Sequence, residues 1–494
     1  MKNKIGILGL FLAFFGMFSC QDAYEIEQPG LLDDETTFRT VNDLQLYLNG
    51  LYTSVAGLSG LEFTSIYTDE LAPSHVYNGS NRDLHRWVLN SATSQAASIW
   101  VANYFTINRA TRMIAAAGNV VPGDNEVADY NSVLAQARFL RALAYMNLQS
   151  YYTTNMADNS ALGVPIMTDV PTIADRLPRA TNGEVYAHME EDLNFALANI
   201  GSAQNNHFVS AAAIEALMAR MYTYREMYSQ AAVHANNAIN NYGIQLASGS
   251  PLGTLTNFYG NNPSNEFRQI WKDVPTAPEV IFQLKSEVQG VGFQPASIWF
   301  FNASNYSGSP IWSMSLRVWD LLNNAMPNDV RRYAYVDPTS VPEENAIIID
   351  KYPGVNFAPL RNNVKLFRLS EMYLILAENH VNSGNLGAAA DAVNTLRAER
   401  VYEGTAPAVS YASATEAWAS IMHERRLEFW LEGHRYVDVR RLGTRANQAF
   451  DRSDLDDEVS GQPLTIPLGD HRFTLPIPFA ELNANPNMTQ NPGY

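Results

Sequence analysis

Aromatic residues crowd into a polar stretch of the chain between residues 299 and 312. Trp299, Tyr306 and Trp312 stand there among asparagine, serine and glycine, and Trp271 lies shortly before them. Rings exposed in a polar loop offer flat apolar faces on which a sugar ring stacks, while nearby amides bind its hydroxyl groups. Loop aromatics also fix loops to their scaffold, so we expect about half of these rings to be structural.

A second polar and aromatic set lies between residues 57 and 98. Its candidates for ligand contact are Tyr67, Asp69 and Arg82. Trp100 and Asn103 follow directly, and their spacing of three places them on one face of a predicted helix. This set is similar in character to the first and is a second candidate for carbohydrate contact.

Several enzymatic signatures are missing from the sequence. The segment from His423 to Leu427 begins like a zinc-protease helix, but leucine stands where the second histidine ligand is needed. Neither a P-loop nor a G-x-S-x-G nucleophile elbow is present. We therefore predict a protein without catalytic activity, bound metal or cofactor.

The composition narrows the class of partner. The chain has 494 residues, of which 46% are apolar, and its net charge is −17. A chain with this much apolar content can form a large core, and its acidic balance argues against a nucleic-acid partner. The single cysteine, Cys20, excludes an internal disulfide and any cysteine-based metal site.

The N-terminus has the pattern of an export signal. Lys2 and Lys4 precede an apolar run over residues 5–18, which is short for a membrane span. Cys20 follows at the place where a bacterial lipoprotein signal is cleaved, so we predict that it carries the lipid anchor. An ordinary cleaved signal with an incidental cysteine is the alternative. Loss of residues 1–19 removes two lysines and changes the net charge from −17 to −19.

Helical periodicity predicts an all-α fold. Apolar residues recur at three- and four-residue spacing over residues 42–56, 100–114 and 134–148, with Asn42 as the cap of the first helix. Thr181 and Glu184 have the spacing of a capping box that opens a fourth helix.

Two predicted helix pairs resemble tetratricopeptide units. They span residues 212–242 and 370–400, and small residues at the matching offsets would let the paired helices approach closely. Because the units are far apart in the chain, we expect them to stack in space across an insertion at residues 246–366. That insertion is rich in proline, glycine and asparagine and predicts loops with short strands.

Motifs in the C-terminal part carry a family resemblance. A helix predicted from Glu416 to Leu442 contains Glu424-Arg425-Arg426, and the chain ends with Leu475-Pro476-Ile477-Pro478 and Asn485-Pro486-Asn487. With the lipoprotein signal, these resemble the SusD/RagB family of Bacteroidetes surface lipoproteins. Alternating Glu and Arg on this helix would form ion pairs. We therefore attribute the motifs to the fold and not to ligand contact.

The resemblance implies a helical, non-catalytic protein of the outer membrane, exposed at the cell surface. It would bind nutrient glycans and deliver them to a SusC-like TonB-dependent transporter. The resemblance also implies that the two irregular segments together supply one sugar-binding site. By position, it favours Trp100, Asn103, Trp299, Tyr306 and Trp312 as sugar contacts. A neutral polysaccharide is expected, because residues 291–316 contain no lysine or arginine.

Two other functions remain open at this point. A peptide-importing relative or scaffold would use the helical hairpins to bind polypeptide, and an endo-acting glycoside hydrolase would cleave the bound polymer. For all three functions, we predict the same four segments. They are a signal peptide (1–19), an N-terminal helical region (20–245), the loop-rich insertion (246–366) and a C-terminal region (367–494).

Overall fold

A computed structural model describes residues 37–494 apart from 173, 254–264, 287–292, 301–309, 345, 356–357, 359 and 457–461. The predicted signal peptide, the lipid attachment at Cys20 and the candidate Tyr306 lie outside the described residues. Helices dominate the described part, as the apolar periodicity predicts.

Sixteen α-helices are present in the described ranges. Most are in the N-terminal half and in the last 130 residues, where they pack around one apolar core. They are α1 Val41–Tyr52, α2 Ser59–Tyr67, α3 Arg82–His85, α4 Ser94–Ala117, α5 Val127–Tyr152, α6 Asn182–Asn199, α7 Ala211–Tyr224, α8 Tyr228–Asn240, α9 Glu266–Trp271, α10 Leu316–Asn324, α11 Val330–Tyr335, α12 Leu369–Asn382, α13 Leu386–Ala398, α14 Ala414–Glu428, α15 Arg435–Ala446 and α16 Phe479–Ala484.

Four short strands form two antiparallel pairs in the described part of the chain. Strand β1 (Leu71–Pro73) pairs with β3 (Trp312–Met314), so that Pro73 lies opposite Trp312. Strand β2 (Val280–Leu284) pairs with β4 (Val364–Arg368). Three of the four strands belong to the predicted insertion, which also contains α9, α10 and α11. The expectation of loops with short strands is therefore correct but misses these helices.

One of the two predicted helix caps is correct and the other is wrong. The Thr181 hydroxyl accepts a hydrogen bond from the Glu184 backbone N–H, and the Glu184 carboxylate accepts one from the Thr181 N–H, which confirms the predicted capping box. For α1 the predicted cap is wrong. Thr40 caps the helix in a second capping box with Asp43, and Asn42 lies inside the first turn.

The predicted helix from Glu416 to Leu442 is also wrong, because the structure has two helices there. Leu431 and Gly433 have φ angles of 56° and 84°, in the left-handed region that a continuing helix does not use. The chain therefore turns between α14 and α15 and brings the charged faces of both helices together.

The two predicted hairpins are confirmed as α7–α8 and α12–α13. Gly384 adopts a φ of 77° at the turn of the second, where no Cβ has to be accommodated. Helix α12 packs against both helices of the first hairpin. Arg220 on α7 forms an ion pair with Glu371 on α12 at 2.6 Å. The units therefore stack although the insertion separates them in sequence.

A buried ionic cluster joins the insertion to this helical body. Glu428 at the end of α14 accepts hydrogen bonds from Arg368 at the end of β4 (2.7 Å) and from Arg400 after α13 (2.8 and 2.9 Å). Arg331 on α11 approaches the same carboxylate at 3.3 Å, and Glu279 beside β2 pairs with both Arg368 and Arg400. The charged groups of all five side chains are almost completely buried.

Charge compensation explains why these ions are tolerated in the core. Burial alone would raise the pKa of Glu428, but the guanidinium groups of Arg400 and Arg368 outweigh it and hold that pKa well below its usual value. Glu428 is therefore ionised at neutral pH, and each arginine would lose a charged partner without it.

We predict that Glu428→Ala destabilises the protein by about 3–5 kcal/mol, because it leaves buried guanidinium groups without a full set of partners. The free energy of unfolding from urea denaturation measures this loss. Glu191→Ala is the matched control, because the Glu191 side chain is 74% exposed and lies 3.7 Å from Arg138. It should change stability by less than about 1 kcal/mol. Equal effects of both variants would contradict the role given to the cluster.

Candidate functional site

The β1–β3 pair brings the two irregular segments of the chain together. Beyond the strand pairing, the Ser74 backbone N–H donates to the carbonyl oxygen of Ile311 at 3.3 Å, and its hydroxyl donates to the carbonyl oxygen of Pro310. The surface that follows β1 therefore lies beside the end of the aromatic stretch that precedes β3. The structure thus joins the regions from which the sequence predicts one site.

The tryptophans of these regions do not form an exposed platform. Trp100, Trp271, Trp299 and Trp312 are each at most 2% exposed. The expectation that they stack on a ligand is wrong for this structure, because solvent cannot reach their faces.

Each tryptophan instead packs against neighbouring rings of the fold. The Trp312 ring lies 4.9 Å from Tyr77 and 5.0 Å from His85, measured between centroids. Trp299 and Trp271 both pack on Tyr352, at 5.9 and 5.5 Å. Trp100 packs on Tyr104 and Tyr152, at 4.8 and 5.0 Å.

Asn103 and Tyr67 are also structural in this conformation. Asn103 donates from its amide to the carbonyl oxygen of Ile99 at 2.7 Å and accepts from the Asn147 amide at 3.1 Å. Tyr67 donates its hydroxyl to the carbonyl oxygen of Arg472 at 3.1 Å. Both side chains are buried, so the prediction of ligand contact is wrong for them as well.

Asp69 anchors β1 to the C-terminal helices. Its carboxylate accepts two hydrogen bonds from Arg435, both at 2.8 Å, and lies 3.1 Å from Arg426. Burial would raise the pKa of Asp69, but the two arginines outweigh it and keep that pKa well below its usual value. The predicted ligand contact of Asp69 is therefore replaced by an internal ion pair.

Arg82 is the exposed member of the predicted set within the described residues. It lines an open cleft of about 620 Å³ between α3 and the first turn of α4, which we call the α3 cleft. The volume lies within the range of roughly 300–1,000 Å³ typical of ligand sites. The lining residues are Gly79, Asn81, Arg82, Asp83, Leu84, Val88, Asn90, Ala92, Thr93, Ser94 and Gln95.

Local hydrogen bonds preorganise the polar wall of the α3 cleft. Asn81 has a left-handed backbone (φ 56°), and its side-chain oxygen accepts from the Gln95 amide at 2.6 Å. In the same lining, the Asn90 side-chain oxygen accepts from the Ala92 N–H at 2.9 Å, and the Thr93 hydroxyl oxygen accepts from the Asn90 N–H at 3.0 Å. Amide and hydroxyl groups held in this way suit the recognition of sugar hydroxyl groups.

The residues chosen from the sequence were mainly aromatic, and most residues of the polar wall of the α3 cleft were not among them. The visible signal is the run from Asn90 to Gln95, in which five of the six residues are polar, directly before the apolar periodicity of α4. A run of asparagine, serine and threonine before a helix also has a purely local explanation in capping and turn formation. The run from Asn90 to Gln95 was therefore not identified as a candidate site, whereas the aromatic cluster was.

Two known families match the N-terminal and C-terminal parts of the chain. Residues 355–494 match the SusD family, and residues 32–223 match a family described as starch-binding associating with outer membrane. The chain belongs to the SusD/RagB family.

Individual relatives agree with this assignment. SusD-like protein P2 of Formosa agariphila is 24% identical over the whole of both chains. The starch-binding protein SusD of Bacteroides thetaiotaomicron is 31% identical over 132 residues, which are 27% of this chain and 22% of that protein.

Solved structures show the same fold. The structure of a putative sugar binding protein from Bacteroides vulgatus superposes with a TM-score of 0.73 at 24% identity, covering 93% of this chain and all of the other. A SusD superfamily protein from Bacteroides thetaiotaomicron gives a TM-score of 0.72 at 22% identity and covers 92% of this chain and all of the other.

Membrane-spanning helices and clusters of metal ligands are both absent from the described residues. None of the described helices has the length and apolar character needed to cross a bilayer. Histidine, cysteine, aspartate and glutamate side chains do not gather in groups of three or more that would suit a metal ion within the described ranges.

We predict that Trp312→Ala lowers the free energy of unfolding by about 3–5 kcal/mol, because it removes a fully buried ring from the support of the site. Urea denaturation measures the change. Val88→Ala at the rim of the α3 cleft is the control, because Val88 is 50% exposed, and it should shift stability by less than about 0.5 kcal/mol. Unchanged stability in Trp312→Ala would show that the ring is not part of the core.

Glu70 gives a prediction on pH dependence. Burial raises the pKa of Glu70 to about 7 and outweighs the hydrogen bond that its carboxylate accepts from the Leu431 N–H at 3.1 Å. The usual value is 4.5, so the folded chain holds a proton that the unfolded chain has lost, and stability falls as the pH rises from about 4.5 to 7. We expect Glu70→Gln to remove up to about 3 kcal/mol of this fall.

The measurement is urea denaturation of the wild type and of Glu70→Gln at several pH values between 4 and 8. The stability difference between the two should move in favour of the variant as the pH rises. Glu191→Gln, at an exposed position, should follow the wild type throughout. Parallel pH profiles for the wild type and Glu70→Gln would contradict the raised pKa.

Proposed function

We propose that this protein binds carbohydrate at the outer membrane and delivers oligosaccharide to a SusC-like TonB-dependent transporter. Membership of the SusD/RagB family supports this, as do relatives described as starch-binding or sugar-binding. The proposed lipid anchor is Cys20, which would place the chain at the cell surface. The segments 20–245, 246–366 and 367–494 would then form the mature protein.

The observation that carries the proposal is the junction made by β1 and β3. It places the surface of residues 74–95 beside the end of the aromatic stretch, and this surface contains the open α3 cleft. Half-buried Tyr77 packs on Trp312, so the core ring holds the segment that leads into the cleft. The site would thus consist of surface amides and charges on a rigid aromatic support.

The charge of the α3 cleft favours a neutral glycan. Arg82 and Asp83 are both exposed in its lining, and their opposite charges balance. A uronate or sulfated polymer would be attracted by Arg82 but repelled by Asp83 and by the acidic chain as a whole. A few sugar units on an open surface would bind with a Kd of roughly 1 µM to 1 mM.

We predict that the purified protein is retarded in affinity electrophoresis by at least one neutral polysaccharide from a panel of starch, dextran, laminarin, galactomannan and xyloglucan. Arg82→Ala should weaken this retention about tenfold, because a hydrogen bond from a charged donor is worth roughly 1.5–3 kcal/mol. Arg39→Ala, which removes an exposed arginine at the start of α1, is the matched control and should bind as the wild type does.

Three results would contradict parts of this proposal. Absence of retention on every polymer would favour a peptide-binding or scaffold protein. Retention on alginate or polygalacturonate alone would exclude neutral specificity. Reducing ends released from a retained polymer during long incubation would establish a hydrolase.

A further inference from the structure

A second cleft shares no lining residue with the α3 cleft. Its volume is about 340 Å³, and it forms where the end of α1, the segment before α7 and the end of β2 meet. We call it the Phe208 cleft. Its lining residues are Asn49, Tyr52, Thr53, Asn205, His207, Phe208, Leu284, Lys285 and Phe293.

Aromatic side chains form the walls of the Phe208 cleft, and solvent reaches them. Tyr52, Phe208 and Phe293 are half-buried, in contrast to the fully buried tryptophans near the α3 cleft. The Tyr52 and Phe208 rings meet edge to face at 5.6 Å. Partly exposed rings at a concave surface offer the apolar face that the buried tryptophans do not.

The positions of these rings are fixed by the surrounding structure. The Tyr52 hydroxyl donates to the Gln136 side-chain oxygen at 2.6 Å and accepts from the Val209 N–H at 2.9 Å. Phe293 packs closely against Gly57, because a Cβ at residue 57 would lie 3.1 Å from the Phe293 ring and 2.6 Å from the Leu284 side chain. The rings therefore need little ordering when a ligand binds.

Polar groups surround the rings. Asn49, Thr53 and Asn205 are exposed at the rim. The Nδ1 atom of His207 is buried without a hydrogen-bond partner among the described residues. Burial lowers the pKa of His207, so its ring is neutral at pH 7. The described lining contains one exposed charged side chain, Lys285, and no carboxylate.

We propose that the Phe208 cleft is a second carbohydrate-binding site, which takes a pyranose unit of an oligosaccharide. The apolar face of the sugar would stack on Phe208 and Phe293, and its hydroxyl groups would bond the amides of Asn49 and Asn205. This inference rests on the proposed function, because it assumes that the protein binds glycans. It adds a second point of attachment, which raises the avidity for a long polymer.

Isothermal titration calorimetry of the mature chain tests the proposal with maltotetraose, laminaritetraose, cellotetraose and mannotetraose. Tetrasaccharides limit bridging between the clefts, so stoichiometry counts the sites. We expect two molecules per wild-type chain and one for Phe208→Ala/Phe293→Ala. The double variant Arg82→Ala/Asp83→Ala should also bind one tetrasaccharide molecule per chain. Phe479→Ala is the control, because Phe479 is 58% exposed on α16, and it should retain both.

The double phenylalanine variant also removes the contact between the Phe208 and Tyr52 rings, which supports the fold. The single variant Phe293→Ala keeps that contact and therefore distinguishes loss of binding from loss of folding. It should weaken the second site at least tenfold while the melting temperature stays close to that of the wild type. A stoichiometry of one that the phenylalanine variants do not change would overturn the second site and leave the proposed function intact. Absence of binding by any tetrasaccharide would overturn both.

Binding that is lost in the phenylalanine variants and kept in Arg82→Ala/Asp83→Ala would support the Phe208 cleft and refute the α3 cleft. A wild-type stoichiometry of two with no response to either set of variants would overturn the second site. Loss of binding in the phenylalanine variants alone would therefore change the location of the binding site without contradicting carbohydrate binding.

Discussion

Buried carboxylates that bind arginines from distant parts of the chain are the central constraint on this fold. Glu428 holds Arg368 and Arg400, and Asp69 holds Arg426 and Arg435. Ions of this kind are costly in a core unless each has its partners, so the segments that carry them must come together in one arrangement. The position of β1, and with it the α3 cleft, follows from the pairing of Asp69.

Local patterns were sufficient to predict the helical body. Apolar spacing locates α1, α4 and α5, and the Thr181 capping box is correct because its hydrogen bonds lie within four residues. The predicted continuous helix at residues 416–442 is wrong because no proline marks the break. Leu431 and Gly433 turn the chain there, and only the packing of α14 against α15 makes that turn necessary.

The two segments predicted to form one site lie side by side in the structure, but most of the side chains chosen from them are buried. Aromatic residues in a polar loop suggest exposure, yet Trp312 lies in a strand whose partner is 239 positions away, and this pairing buries it. Burial of a loop ring depends on tertiary contacts that sequence spacing does not contain. Arg82, predicted as a ligand contact, is exposed and lines the α3 cleft, and its contact with a ligand stays a prediction. The rings of Phe208 and Phe293 were not singled out, because sequence spacing does not show which ring lies half-buried at a cleft.

The sequence separation of the β1–β3 junction also has a consequence for the order of assembly. Asp69 pairs with Arg435, 366 residues further along the chain, and the Arg452 guanidinium bonds the backbone of Thr68. Closing such long loops is slow, and contacts of this range form late in folding. The α3 cleft can therefore take its final shape only after the C-terminal helices have docked. A ligand that needs this cleft would then bind only when the whole chain has folded.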